Sequence, residues 1–146
     1  MSDHSGHWEA RQVPNPQKYH GFVYLIVNKY NGMYYIGRKM YGGGNAWRSY
    51  TGSCKPLNED IKKYGKKWFT FTILGEFETK AAMNYMEERL QYIFDVLHDE
   101  KYYNKNIGGK RYANQECNQD TVKENALRII EEIKETVNEQ RETTES

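Results

Sequence analysis

The chain predicts a small α+β domain: a three-stranded, mainly antiparallel sheet flanked by helices, with a further helix at the C-terminus. Three observations carry this expectation. Two β-rich runs bracket an Asn31-Gly32 turn signal, a third run alternates over 68–74, and an amphipathic stretch extends from Thr79 to about His98.

A chain of 146 residues, 38% hydrophobic and 28% charged, suits one globular domain with short appendages. The expected organisation is a flexible N-terminal segment over 1–20, a domain over 21–114, and an acidic helical tail over 115–146. No run approaches the length of a membrane span, and the first residues lack the charged-then-apolar order of a signal peptide. Cys54 and Cys117 are too few and too far apart for a disulfide framework or a cysteine zinc site. These features suggest a soluble, cytoplasmic protein with no membrane partner.

The elements follow in order. Residues 1–20 are polar, with Pro14 and Pro16 and no apolar period. Gly21-Phe-Val-Tyr-Leu-Ile-Val27 and Met33-Tyr-Tyr-Ile36 flank Asn31-Gly32 and read as a hairpin. Strand side chains alternate, so a two- or four-residue loop puts Tyr24 and Tyr35 on one face, whereas three or five residues would separate them. Tyr41-Gly-Gly-Gly-Asn45 is too glycine-rich to propagate helix or strand; it lacks the lysine of a P-loop and reads as a flexible, substrate-facing loop. Ser53-Cys54-Lys55-Pro56 marks a helix start, Leu57, Ile61 and Tyr64 recur at helical spacing, and Gly65 marks the stop. Phe69, Phe71 and Ile73 alternate with Thr70 and Thr72 in the third strand. The long helix carries Met83, Met86, Leu90, Ile93, Phe94 and Leu97. A last helix, Thr121 to roughly Glu139 with Asp120 as candidate cap, carries Val122, Ala126, Ile129, Ile130, Ile133 and Val137 on one side. That helix could dock on the domain or self-associate with a copy of itself.

Charge is uneven beneath a formal total of +1. Residues 21–114 hold fifteen Lys/Arg against nine Asp/Glu and twelve of the thirteen tyrosines, while 115–146 hold four bases against nine acids. A basic, tyrosine-rich domain suits a nucleic-acid partner, since phosphates need cations and bases stack on aromatic rings. His4 and His7 have the spacing of a metal pair but no third ligand nearby, and read as part of the N-terminal segment.

Phe22-Val-Tyr24 followed by Tyr35-Ile-Gly37, eleven residues from tyrosine to tyrosine, resembles the paired motif of the GIY-YIG nuclease superfamily. The first motif departs from it, with glycine displaced to Gly21; the second is intact. A helix ending in Lys62-Lys-Tyr-Gly65, a strand, a helix with an acid, and Tyr103-Asn104 follow in the family's order. The resemblance spans about residues 20–110 and is closest to stand-alone and homing endonucleases of the kind phages encode.

It implies metal-dependent hydrolysis of DNA phosphodiester bonds, in double-stranded or branched DNA, with Mg²⁺ (or Mn²⁺) as cofactor. By resemblance, Tyr24 is the candidate general base or water-positioning group and Tyr35 its partner. A phenol needs nearby cations or metal-bound water to favour its phenolate. The family's metal-binding glutamate has two candidates here, Glu87 and Glu88. On a helical wheel Glu87 borders the apolar stripe and Glu88 points away from it, which selects Glu87 as catalytic and metal-binding. Arg48 and Arg38 compete as the phosphate-clamping arginine, Arg48 marginally ahead. No histidine lies between Gly37 and Leu97, and Tyr50 could serve where many members have one. Asn104 matches the family's asparagine and could brace the active-site backbone. Lys39, Tyr50, Lys62, Lys63, Lys66 and Lys67 are candidate nucleic-acid contacts. The rival reading is a catalytically inactive GIY-YIG-fold nucleic-acid-binding module, which the altered first motif and the missing histidine would suit. A protein-interaction domain working through the acidic final helix is a third.

Overall fold

A computed structural model describes residues 5–108, 110–111 and 119–145; His4 and Cys117 lie outside them. The chain forms two compact units, residues 1–113 and 114–146.

The first unit is built on three antiparallel strands, β1 (Gly21–Asn28), β2 (Met33–Met40) and β3 (Phe69–Phe77), in the order β2-β1-β3. The expected hairpin is present, and its pairing of Asn28 with Met33 leaves a four-residue loop. That parity puts Tyr24 and Tyr35 on one face, their rings 6.1 Å apart. The central strand is covered on both faces, which explains why it reads as a nearly continuous apolar run. On one face, Phe22, Tyr24 and Ile26 meet Trp47, Leu57, Phe69 and Phe71. On the other, Val23 and Ile36 meet Met83, Val96 and Ile107.

α1 (Lys55–Tyr64) starts on Pro56 in its first turn and stops where Gly65 takes φ 96°, a left-handed conformation that a side chain would resist. Its N-cap is Cys54, one residue beyond the cap-type Ser53 expected to start it. The third strand starts at Phe69 and runs three residues beyond the expected Leu74. A bulge places Leu74 out of register, where it is 48% exposed, and swaps the side-chain parity behind it.

α2 (Lys80–Ile93) is capped by the Thr79 hydroxyl and ends five residues before the expected His98. Its period continues in sequence, but Asp95 adopts φ 51° and reverses the chain. Val96 thereby enters the core, while Ile93 and Phe94 face solvent. Tertiary packing overrides the helical stripe there. Residues 101–104 then run beside the β2 edge, with the Tyr34 and Tyr103 amides donating to the Lys101 and Tyr34 carbonyls. β4 (Asn106–Ile107) and β5 (Lys110–Arg111) pair antiparallel; Gly108 of the expected Gly108-Gly109 loop takes φ 56°, and Gly109 lies outside the described residues.

The lead-in expected over 1–20 is ordered where it carries Trp8. That ring is 4% exposed, and its indole N–H donates to the Trp47 carbonyl at 2.6 Å. Glu9 bonds to Phe71 and Ile73 on the β3 edge. The buried Trp8 ring and the Glu9 backbone pairing together anchor a polar segment that has no periodicity of its own.

His7 stacks on Phe71 at 3.9 Å and donates Nε2–H to the Tyr50 carbonyl at 2.9 Å. Burial, with Lys66 nearby, lowers its pKa to about 4, although the Tyr50 bond pulls the other way. Between about 6.5 and 4 the unfolded chain therefore binds a proton that the folded chain does not. Stability is full above that window and falls as pH drops through it. The half-buried ring makes this worth about 1–2 kcal/mol, below the full linkage value. Urea unfolding at pH 7 and pH 4.5 should show wild type losing that much more than His7→Phe.

The second unit is α3 (Gln119–Glu145), longer at both ends than expected, so that Asp120 sits within its first turn. Among the described residues no helix is long and apolar enough to cross a membrane.

Candidate active site

A cavity of about 570 Å³ opens beside β2, lined by Tyr24 from β1, Tyr35, Arg38 and Lys39 from β2, Tyr50, Glu87 from α2, and Asn104. Tyr24 reaches it because Gly37, paired opposite on β2, has no side chain. A Cβ there would lie 2.5 Å from the Tyr24 hydroxyl and 3.0 Å from Tyr35 Cε2. Gly52 closes over the same hydroxyl, its Cβ position 3.2 Å away.

Burial, then Tyr35, Tyr50 and Glu87, pushes the Tyr24 hydroxyl well above its ordinary pKa. Burial takes Tyr35 to about 12, against a hydrogen bond from Ser53. Both phenols are therefore protonated at neutral pH, and the surroundings on the protein side do not favour a phenolate. The Tyr50 ring stands edge-on to Tyr24 at 6.2 Å, with Lys39 Nζ 4.5 Å from its own centroid.

Glu87 occupies the sheet-facing row of α2 between Met83 and Gln91, and is 6% exposed. Arg38 Nη1 donates to its Oε1 at 2.5 Å. Burial raises the Glu87 carboxyl and Arg38 opposes that rise. The Glu88 carboxylate lies instead over Gly108. Among the described residues no three His, Cys, Asp or Glu side chains gather as a metal cage. A lone buried carboxylate fits magnesium, which takes its other ligands from water and phosphate.

Asn104 holds the β2 backbone from the side. Its Nδ2 donates to the Ile36 carbonyl at 2.8 Å and its Oδ1 accepts from the Ile36 amide at 3.1 Å. Gln91 also donates to the Ile36 carbonyl, at 3.1 Å, and accepts from the Gly108 amide. Both amides fix the residue between Tyr35 and Gly37.

The two arginines separate clearly. Arg38 lines the cavity, whereas Arg48, ranked marginally ahead from sequence, lies on a 3₁₀ turn (Ala46–Ser49) with its guanidinium 5.4 Å from the Trp47 ring and does not line it. Lys62, Lys63, Lys66 and Lys67 are exposed around the end of α1 and also lie outside the cavity. Gly42, Gly43 and Gly44 are exposed, and a Cβ at any of them would meet nothing within 4 Å.

Lys55, Lys80 and Lys105 line the cavity, and sequence reasoning passed over them. With Arg38 and Lys39 they set five cations against Glu87. A signal for two of them was available. Lys55 and Lys80 are the first residues of α1 and α2, neither of which has an acid in its first turn. A cation at that end opposes the helix dipole by about 0.3–1 kcal/mol, so two such placements suggest a role outside stability. Half-buried Cys54 lines the cavity too, its thiol 3.7 Å from the Tyr103 carbonyl, and Asn58 ties the backbone beneath it to Gly52.

Comparison with known proteins bears on the family of the chain. The family model described as "Putative endonuclease segE, GIY-YIG domain" matches residues 8–107. The putative endonuclease segE of Enterobacteria phage T4 is 40% identical over 91 residues, 62% of this chain and 42% of that protein. Endonuclease segA of the same phage is 35% identical over 94 residues, 64% of this chain and 41% of that protein. Its intron-associated endonuclease 2 is 28% identical over 109 residues, covering 72% and 40%. The chain thus spans about two fifths of the length of the curated relatives it matches. No solved structure matches it significantly.

Proposed function

The chain belongs to the GIY-YIG family of segE type, and from that premise we propose that it is a metal-dependent endonuclease hydrolysing DNA phosphodiester bonds. One observation carries the reading: two tyrosines, an arginine and a lone carboxylate from three elements meet in one cation-lined cavity. Cleaving a phosphodiester requires an oriented water, positive charge on the phosphate oxygens, and a carboxylate to hold a divalent ion.

In this reading the Tyr24 hydroxyl, whose ionisation burial further disfavours, orients the attacking water, and Tyr35, which accepts from Ser53, packs beside it. Arg38 presents its guanidinium fork to the scissile phosphate. Lys39, Lys55, Lys80 and Lys105 attract the flanking backbone. Glu87 would hold Mg²⁺ (or Mn²⁺), which supplies positive charge to the phosphate and to the developing oxyanions. Asn104 and Gln91 prevent the tyrosine-bearing strand from shifting at Ile36.

The altered first motif does not weaken this. Phe22 and Val23 are fully buried, pointing into the cores on opposite faces of the sheet, and neither lines the cavity. They are packing residues, and Tyr24, the motif residue that does line it, is retained.

Incubation with supercoiled plasmid and Mg²⁺ tests the proposal. Nicking is expected, abolished by EDTA and reduced about 10²- to 10⁴-fold in Tyr24→Phe. Salt-sensitive binding by wild type with no nicking in Mg²⁺ or Mn²⁺ would instead identify a catalytically silent nucleic-acid-binding module.

A further inference from the structure

We propose that the tip of the β1–β2 hairpin is a second DNA-contacting surface that stacks unpaired bases, an inference that rests on DNA being the substrate. Tyr30, in the loop between the two strands, stacks on Tyr64 at the end of α1, with ring centroids 4.4 Å apart and planes 22° from parallel. Trp68 stands edge-on to Tyr30 at 5.5 Å. The Lys29 amide donates to the Trp68 carbonyl at 2.8 Å and the Tyr30 amide to Asn28 Oδ1 at 2.9 Å, so the backbone holds the rings together. Burial does not account for the cluster, because Tyr30 is 59% and Trp68 39% exposed. Turn tips favour Gly, Asn, Asp and Ser, and a ring left in water there adds little stability.

Charge indicates the occupant. Residues 29–32 and 59–68, which carry the three rings, hold five lysines against Glu59 and Asp60. All five lysines are exposed, Lys63 Nζ lies 5.1 Å from the Tyr64 centroid, and Asp60 is engaged by the Tyr103 hydroxyl at 2.6 Å. Aromatic faces set among cations fit a polymer that alternates flat rings with phosphates. Bases within a duplex keep their faces in the stack, so only unpaired ones can cover Tyr30 and Trp68. An acidic peptide would supply the charge without the rings. The surface also lies within one strand's reach of the cavity. α1 begins at Lys55, which lines the cavity, and ends at Tyr64 about 14 Å further on, the length of about four stacked nucleotides. DNA with an unpaired stretch that far from the cut, as at a branch, should therefore outcompete an intact duplex.

Intrinsic fluorescence reads the contact, since Trp8 and Trp47 are buried and Trp68 is the exposed tryptophan. In EDTA, a short oligothymidylate should quench wild type, with the quenching lost in Trp68→Phe. An abasic strand of equal length, or a fully paired duplex, should bind with little quenching. Tyr30→Ala should weaken oligothymidylate binding about 10-fold, whereas Tyr30→Phe, which keeps the ring, stays near wild type. Lys63→Ala/Lys67→Ala should lower the slope of log affinity against log salt by about 1.4. Quenching by the abasic strand, the duplex or polyglutamate equal to that by oligothymidylate, or full affinity in Tyr30→Ala, would overturn the proposal. Plasmid nicking without Trp68 quenching would overturn this surface alone; quenching without nicking would overturn the nuclease reading alone.

Discussion

Gly37→Ala is expected to slow cleavage about 10²-fold while leaving a folded protein. The added methyl would lie 2.5 Å from the Tyr24 hydroxyl oxygen and 2.7 Å from Tyr24 Cζ, distances that real Cβ atoms do not tolerate. Something must give, and β2 cannot move freely, because it pairs along its length with β1 and is held at Ile36 by Asn104 and Gln91. The Tyr24 ring therefore has to swing out of its slot. Overpacking of this kind costs about 1–3 kcal/mol of stability, and a displacement of the order of 1 Å in a positioning group costs about 10²-fold in rate. The double variant Gly37→Ala/Tyr24→Phe should be little slower than the worse single variant, since both act through one hydroxyl. Additive losses would show that Gly37 matters for some reason other than the passage it leaves for Tyr24. The check is single-turnover nicking together with urea unfolding of all three variants.

Glu87→Gln should reduce cleavage by about 10³-fold or more and remove magnesium binding, while Glu88→Gln leaves both near wild type. The pair tests two adjacent residues of the same type that differ in where the helix aims them. Glu87 is buried in the cavity against Arg38; Glu88 lies over Gly108. Glutamine is close to isosteric and can still accept from Arg38, so the fold is expected to survive and the loss can be assigned to charge. Titrating Mg²⁺ by calorimetry in the absence of DNA separates metal affinity from turnover. Loss of activity in Glu88→Gln with Glu87→Gln unaffected would reverse the assignment.

What could be read in advance depended on whether a residue's function followed from its own neighbours in the chain. The hairpin, the third strand, α1 and the start of α2 each follow from local periodicity and from turn or cap chemistry. The shared face of Tyr24 and Tyr35 was conditional on one integer, the loop length. The wheel that separates Glu87 from Glu88 is local geometry as well, since the neighbouring apolar residues of the same stretch set both directions.

The remainder was not local. Arg38 and Arg48 are chemically equal in sequence, and they differ only because β2 carries one past Glu87 while a 3₁₀ turn lays the other beside Trp47. Lys55, Lys80 and Lys105 are isolated lysines along the chain and become a set only when the starts of α1 and α2 face the same cavity. Trp8 lies in a polar, proline-containing stretch whose order depends on a partner, Trp47, thirty-nine positions away. The early end of α2 has the same origin, because Val96 enters the core at the expense of about one and a half further turns of helix. By itself the amino-acid order determined the main strands and helices, though not all of their ends, and which hydroxyls and carboxylates were available. Only the tertiary structure decided which cations surround them, because electrostatic and packing energies depend on distance in space, and distance along the chain does not encode it.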